Sequence, residues 1–176
     1  DEEGQPAAPA QPTTEIALAS AARGVNIDPL DAEAYYKRAN ALRDKKDLDG
    51  AITDYTNALK IDFGHVRALA ARGRVYTLKK DYDRAVADLT EAIQLDPKDG
   101  KLYNSRGIAY AERKDYDRAV SDFTDTIRLD PKSPFAYHNR GRLLGQKLRR
   151  WDAGIADLST AIKLDPKYVS AYQNRG

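Results

Sequence analysis

From Tyr35 onward the apolar residues fall at helical spacing in two alternating stripes. Tyr35, Ala39 and Leu42 stand at i, i+4 and i+7, as do Leu69, Gly73 and Tyr76, then Tyr103, Gly107 and Tyr110. Residues so spaced share one face of a helix. A second stripe follows in Ala51, Tyr55, Ala58 and Leu59, and again in Ala85, Leu89, Ala92 and Ile93. Between the stripes lie short polar runs, KKDLDG, KKDYDR, RKDYDR and the one-residue-longer KLRRWDAG. Asp-Pro pairs close the second stripes, because proline clashes with a continuing helix and moves the preceding residue out of α conformation. The pattern predicts a series of helix-turn-helix hairpins and an all-α chain.

The hairpins repeat. Leu95-Asp96-Pro97-Lys98 returns 34 residues later at Leu129 to Lys132 and 35 later again at Leu164 to Lys167, with Ile61-Asp62 and Ile27-Asp28 continuing the step upstream. This period divides the chain into a Pro- and Ala-rich acidic arm or linker at 1–14 and a repeat domain at 15–176. The domain comprises a half repeat at 15–31, repeats at 32–65, 66–99, 100–133 and 134–168, and a partial repeat at 169–176. Stacked repeats bury their apolar faces against neighbours, so incomplete units at both ends suggest that the natural polypeptide continues.

Tyr103, Gly107, Tyr110, Ala119, Phe123 and Pro131 stand where the tetratricopeptide repeat family places its recurring residues, and the chain resembles that family over about residues 17–176. The resemblance implies an α-solenoid: antiparallel helix pairs stacked in a right-handed superhelix, with the first helices lining a concave groove. Three positions depart from the family pattern, Ala39 for Gly, Phe63 for Pro and Gly154 for Ala. A mid-helix Gly costs roughly 1 kcal/mol against Ala, which makes the fourth hairpin the expected weak unit.

Whatever each hairpin needs in order to fold must recur in every copy, whereas a partner selects residues that differ between copies. Arg38, Arg72, Arg106, Arg140 and Arg175 recur in the first helices, and Asp54, Asp88, Asp122 and Asp157 in the second. An antiparallel hairpin centred on the turn brings each Arg to the height of its Asp, so structural ion pairs are expected for Arg38 with Asp54, Arg72 with Asp88, Arg106 with Asp122 and Arg140 with Asp157. Gly73, Gly107 and Gly141 recur in mid-helix, where close approach of the paired helix would compensate for their low propensity.

Residues opposite the packing stripe of the first helices do not recur, and these are the expected partner-binding positions. They include Tyr36, Asn40 and Arg43 in the first hairpin and Arg67 and Arg74 in the second. The third supplies Lys101, Asn104 and Ile108, and the fourth Phe135, His138 and Arg142. The mixture of aromatic, aliphatic and cationic side chains suits an extended peptide or helix with apolar anchors and some acidic character. Some family members hold a chaperone tail's terminal carboxylate with a set of Lys, Asn and Arg. Only Asn40 and Lys101 match that set here, while Tyr36, Ala71 and Ser105 do not, which disfavours such a ligand.

Composition narrows the remaining choices. With 29 basic and 27 acidic residues interspersed along the chain, there is no basic stripe of the kind nucleic-acid binding requires. No apolar run approaches the roughly 20 residues of a membrane span. Without cysteine, thiolate chemistry and zinc-finger spacing are excluded, and two histidines leave little material for a metal centre. GRLLGQK superficially resembles a phosphate loop but has the wrong glycine spacing and no hydroxyl residue after Lys147, and DLDG lacks the further acids of a calcium loop. No catalytic, cofactor or metal site is expected.

The reading is a non-enzymatic protein-interaction scaffold that holds a partner peptide or helix. Two alternatives stand beside it: a regulatory or assembly domain of a larger enzyme or transport machine, and a head-to-tail homo-oligomer formed through the incomplete end repeats. The acidic arm, following a start that is not Met, favours a bacterial periplasmic or secreted protein over a cytoplasmic one. The same arm is a candidate occupant of the groove.

Overall fold

The computed structural model describes residues 31–175; the arm at 1–14, the half repeat up to residue 30 and Gly176 lie outside the described residues. Among the described residues nine helices follow one another: α1 (Ala32–Asp44), α2 (Leu48–Ile61), α3 (Val66–Leu78), α4 (Tyr82–Leu95), α5 (Gly100–Glu112), α6 (Tyr116–Leu129), α7 (Pro134–Gln146), α8 (Trp151–Leu164) and α9 (Val169–Arg175). They pack as the hairpins α1–α2, α3–α4, α5–α6 and α7–α8, each laid against the next, with α9 against α8. The first helices also touch one another along the series α1, α3, α5 and α7, while the second helices make no contacts of that extent with each other. The stack therefore curves, with the first helices on its inner side.

Local chemistry starts and stops these helices at the same places in each copy. The side chains of Asp31, Asp47, Asp81 and Asp99 accept hydrogen bonds from first-turn N–H groups, so the first acids of DLDG and of the DYDR at Asp81 cap helices, while Asp115 holds the same N-cap position without a side-chain bond. At the turn within the first hairpin, Asp47 N–H bonds Leu42 C=O at 2.9 Å and Lys46 N–H bonds Arg43 C=O at 2.9 Å, and the next two hairpins repeat both bonds. This pairing ends a helix through one left-handed residue, here Lys46, Lys80 and Lys114, with φ of 65°, 63° and 68°. After the second helices, Asp62, Asp96, Asp130 and Asp165 each accept a hydrogen bond from the N–H two residues on. That turn forms whether or not proline follows, which explains why Phe63 substitutes without loss of the helix end.

Each hairpin carries a small buried residue in both of its helices: Ala39 and Ala51, Gly73 and Ala85, Gly107 and Ala119, Gly141 and Gly154. The last pair lies closest. A Cβ on Gly154 would stand 2.8 Å from Gly141 O and 2.9 Å from Gly145 N, both backbone atoms that cannot swing aside. Gly154 is thus a packing requirement rather than the weakness that helix propensity suggests. Large side chains fill the space on either side, with Tyr35, Tyr55, Leu69, Leu89, Phe123 and Leu143 essentially buried.

An ion-pair ladder runs through this core. Arg72 donates from Nε and Nη2 to the two carboxylate oxygens of Asp88, each at 2.8 Å, and from Nη1 to Thr56 Oγ1 of the preceding hairpin at 3.0 Å. Arg106 repeats the arrangement with Asp122 and Thr90, and Arg140 with Asp157 and Thr124. Arg38 grips Asp54 in the same two-pronged way, with its Nη2 2.6 Å from Oδ1. The hydrogen bonds to Asp122 and Asp157 raise the pKa of Arg106 and Arg140 above the ordinary guanidinium value, against the opposing effect of burial. The guanidinium groups of Arg72, Arg106 and Arg140 thus each join three helices, two from their own hairpin and one from the hairpin before. The threonines recur two residues after each aspartate, in DYT, DLT and DFT, a signal readable in the sequence once the three-helix geometry is known.

Two substitutions test this packing. Gly154→Ala is expected to destabilise the chain by about 1–3 kcal/mol, because the added methyl forces backbone apart; a raised urea midpoint would instead restore the propensity argument. Asp122→Ala leaves a half-buried guanidinium without its carboxylate and should lower stability by about 3–5 kcal/mol, while the paired change Arg106→Leu with Asp122→Leu recovers most of that loss. Urea unfolding of the single and double variants measures both effects.

Candidate functional site

The concave face is built by the first helices, held in phase by the guanidinium ladder. On α1, Tyr36 lies with its ring centroid 5.2 Å from that of His65 and 6.0 Å from that of Tyr55. Arg67 places its guanidinium over the Tyr36 ring at 5.1 Å while donating to Glu33 at 2.7 Å. Asn40 is half-buried and accepts a hydrogen bond from the Tyr55 hydroxyl at 2.8 Å; Arg43 is drawn to Asp44 at 2.9 Å.

Tyr36, Arg67, Arg74 and Lys101 come together around one pocket of about 180 Å³, which Val66, Ala70, Asp99 and Leu102 complete. Arg74 is exposed as a whole residue, yet the protein around its guanidinium partly desolvates it. That desolvation lowers its pKa, with Tyr36 opposing the shift and the nearby charge of Arg43 adding to it. The group remains cationic, since the ordinary guanidinium value lies far above neutrality. Among the described residues Arg74, Lys101 and Arg142 form no ion pair. Asp99 lines the same pocket and favours the charged form of Arg74 without forming an ion pair with it, so the guanidinium can still take a negative group from outside.

Further along the face, Asn104 accepts a hydrogen bond from Asn139 at 3.1 Å, and Ile108 and Phe135 leave 37% and 57% of their surfaces exposed. The Phe135 ring meets Tyr168 edge-on at 5.2 Å. Arg142 stands apart from the first cluster, lining a separate pocket of about 220 Å³ with Ala111, Glu112, Lys114, Tyr116, Leu143 and Lys147. No group of three or more metal-ligating side chains stands together among the described residues, and none of their helices is long and apolar enough to cross a membrane.

His138 departs from the expected exposed groove position. It is 8% exposed, because α9 closes over the end of α7 and both ring nitrogens are engaged. The Asn174 amide, which also donates to Ser170 C=O at 2.7 Å, donates to His138 Nε2 at 3.1 Å, so the neutral ring carries its proton on Nδ1, 3.1 Å from the Tyr168 hydroxyl. Asn174 in turn accepts from Gln146 at 2.7 Å. The sequence shows no hint of this cluster beyond the change of letter at position 138, because its four members come from separate stretches that meet only when α9 docks.

Residues 9–171 match the model of the family described as the ETO1 C-terminal domain. The chain belongs to this family. Solved structures place the ETO1 C-terminal domain architecture seen here among tetratricopeptide-repeat folds. A crystal structure of MamA protein is 25% identical and aligns over 82% of this chain and 78% of its own with a TM-score of 0.74. The TPR domain of Arabidopsis OM64 is 28% identical over 64% of this chain and 93% of its own, with a TM-score of 0.62. The first TPR domain of Spaghetti (RPAP3), solved bound to the HSP90 peptide SRMEEVD, is 24% identical over 62% of this chain and 86% of its own, with a TM-score of 0.60. No curated protein matches the sequence. The chain therefore has the fold of a tetratricopeptide-repeat protein–protein interaction scaffold.

Burial holds the His138 pKa below its ordinary value. Hydrogen bonding by the ring to the Asn139 side chain and the Ser170 backbone partly opposes that shift, and the charge of Arg142 reinforces it. In the unfolded chain the imidazole takes up its proton near the ordinary value of ~6.5. The unfolded state therefore binds more protons just below that pH, so stability is complete above ~6.5 and falls as the pH drops toward the lowered folded value. Urea unfolding at about pH 7.5 and about pH 5.5 should show a larger acid loss for the wild type than for His138→Gln; equal losses would contradict the assignment.

Proposed function

We propose that the chain is a non-catalytic scaffold whose concave groove holds an extended or helical segment of a partner protein carrying apolar anchors and acidic residues. The observation that carries this reading is the convergence of Tyr36, Arg67, Arg74 and Lys101 on one pocket, in which Arg74 and Lys101 form no ion pair among the described residues although Asp99 stands in the same wall. The exposed Ile108 and Phe135 supply apolar surface on the same face. Desolvated arginine and aromatic side chains at the centre of a concave surface are the residue types that dominate binding energy at protein interfaces. A relative of the same fold solved with a peptide bound is consistent with this use.

The test is charge reversal at two separated groove positions, Arg74→Glu with Arg142→Glu. Neither residue takes part in the ladder or in an ion pair among the described residues, so the melting temperature should stay within a few degrees of the wild type. Affinity purification from a cell extract, followed by titration of the captured partner, should show binding weakened by at least about tenfold. Identical capture and affinity for both proteins would remove the groove from the account.

A further inference from the structure

Comparing equivalent junctions between hairpins singles out one place. Between the first and second hairpins a shallow depression of about 500 Å³ is lined by residues that include Asp31, Asp62, His65 and Arg67. The corresponding depression between the third and fourth hairpins, about 470 Å³, is lined by the residues 68 positions on, including Asp99, Asp130, Ser133 and Phe135. It also reaches Asn104, Thr126 and Leu129, whose counterparts Tyr36, Ala58 and Ile61 do not line the first one. At the first junction Tyr36 and His65 pack their rings together, with centroids 5.2 Å apart and planes tilted by 35°. At the last junction His138 and Tyr168 occupy the same two places with ring centroids 4.9 Å apart. At the third-to-fourth junction those places hold Asn104 and Ser133, which leave the floor open.

We infer that the cavity between α5, α6 and α7 is a socket for one aromatic side chain of a partner peptide flanked by acidic residues. This deepens the groove reading and rests on it, since Lys101, Asn104 and Phe135 belong to the groove face. The molecule itself shows what fits: at the first and last junctions the same two places hold two rings in tilted contact. Leu129, Pro134 and the exposed Phe135 give an incoming ring apolar contact, and the volume leaves room for the backbone on either side of it. Lys98, Lys101 and Lys132 line the rim and form no ion pair among the described residues. The two rim acids are already engaged, Asp99 accepting from Lys101 N–H at 2.9 Å and Asp130 from Lys132 N–H at 3.1 Å. Acidic flanking residues therefore meet uncommitted lysines.

The probe is a fluorescein-labelled peptide with one phenylalanine between pairs of aspartates in a glycine–serine frame, alongside versions with alanine for phenylalanine and with lysine for aspartate. Fluorescence anisotropy should show the phenylalanine peptide binding about tenfold tighter than either control. Asn104→Tyr with Ser133→His installs the ring pair that the first junction uses. It should abolish that preference while leaving the melting temperature at or above the wild-type value. Equal affinities for the phenylalanine and alanine peptides, or an unchanged preference in the filled variant, overturn the socket. If the filled variant melts early, Asn104→Leu replaces it, partly occupying the cavity without a second substitution. Loss of partner binding in the groove charge-reversal variant, together with an unaltered peptide preference in the filled variant, would leave the groove standing and remove the socket alone.

Discussion

The constraint on which the rest depends is the fixed shape of the guanidinium group. Its planar fork reaches two oxygens of one carboxylate and a hydroxyl in the preceding hairpin, as Arg72 does with Asp88 and Thr56. A one-residue slip of either helix moves its side chains about 1.5 Å along the axis and about 100° around it, which breaks all three bonds and strands a buried charge. Apolar contacts alone would tolerate such a slip far better, because methyl groups carry no directional requirement. The fourth hairpin shows the force of the constraint. Its turn carries an additional residue, yet Arg140 still meets Asp157 in two-pronged fashion, across 17 residues instead of 16. The turn absorbs the insertion, with Arg149 as its left-handed residue, and the helices keep their register.

Register in turn fixes what the concave face can present. Because each first helix enters the stack at the same phase, positions 36, 70, 104 and 138 stand at equivalent places along the wall. Those four positions read Tyr, Ala, Asn and His, so a regular scaffold displays an irregular surface. The small residues at the crossing points draw each pair of helices together, and contacts between successive first helices bend the stack toward them. Curvature concentrates the side chains of the inner face. This is how Arg74 comes to be desolvated by neighbours from α1 and from the start of α5.

Junctions between hairpins form a third level of organisation. Two are closed by a tyrosine and a histidine in opposite order, Tyr36 with His65 and His138 with Tyr168. At the inner junctions the same two places hold Ala70 with Asp99 and Asn104 with Ser133, and the second of these keeps a recess that reaches Asn104. An aromatic pair fills its junction, while the junction of Asn104 and Ser133 keeps a recess that faces the groove. The histidine of the last junction makes the docking of α9 sensitive to protonation, since its Nε2 must stay bare to accept the Asn174 amide.

Much of this architecture was legible in the sequence, because repetition performs an internal comparison. Helical periodicity located the hairpins, and the recurrence of Arg and Asp at constant separation identified the pairs that meet. Local turn chemistry was legible too, since an Asp cap or an Asp turn needs only residues a few positions away. Three things required the folded chain. Gly154 reads as a propensity defect until Gly141 and Gly145 are seen to lie against it, because propensity describes one helix and steric contact requires two. His138 reads as a groove residue until α9 covers it, because its partners Tyr168 and Asn174 are 30 and 36 residues away. The convergence of Tyr36, Arg67, Arg74 and Lys101 spans three hairpins and depends on the curvature of the stack. The sequence by itself determined which residues must pair for each unit to fold, since those pairs lie within one period. Tertiary structure alone decided which variable residues share a pocket, because that depends on how one unit is set against the next.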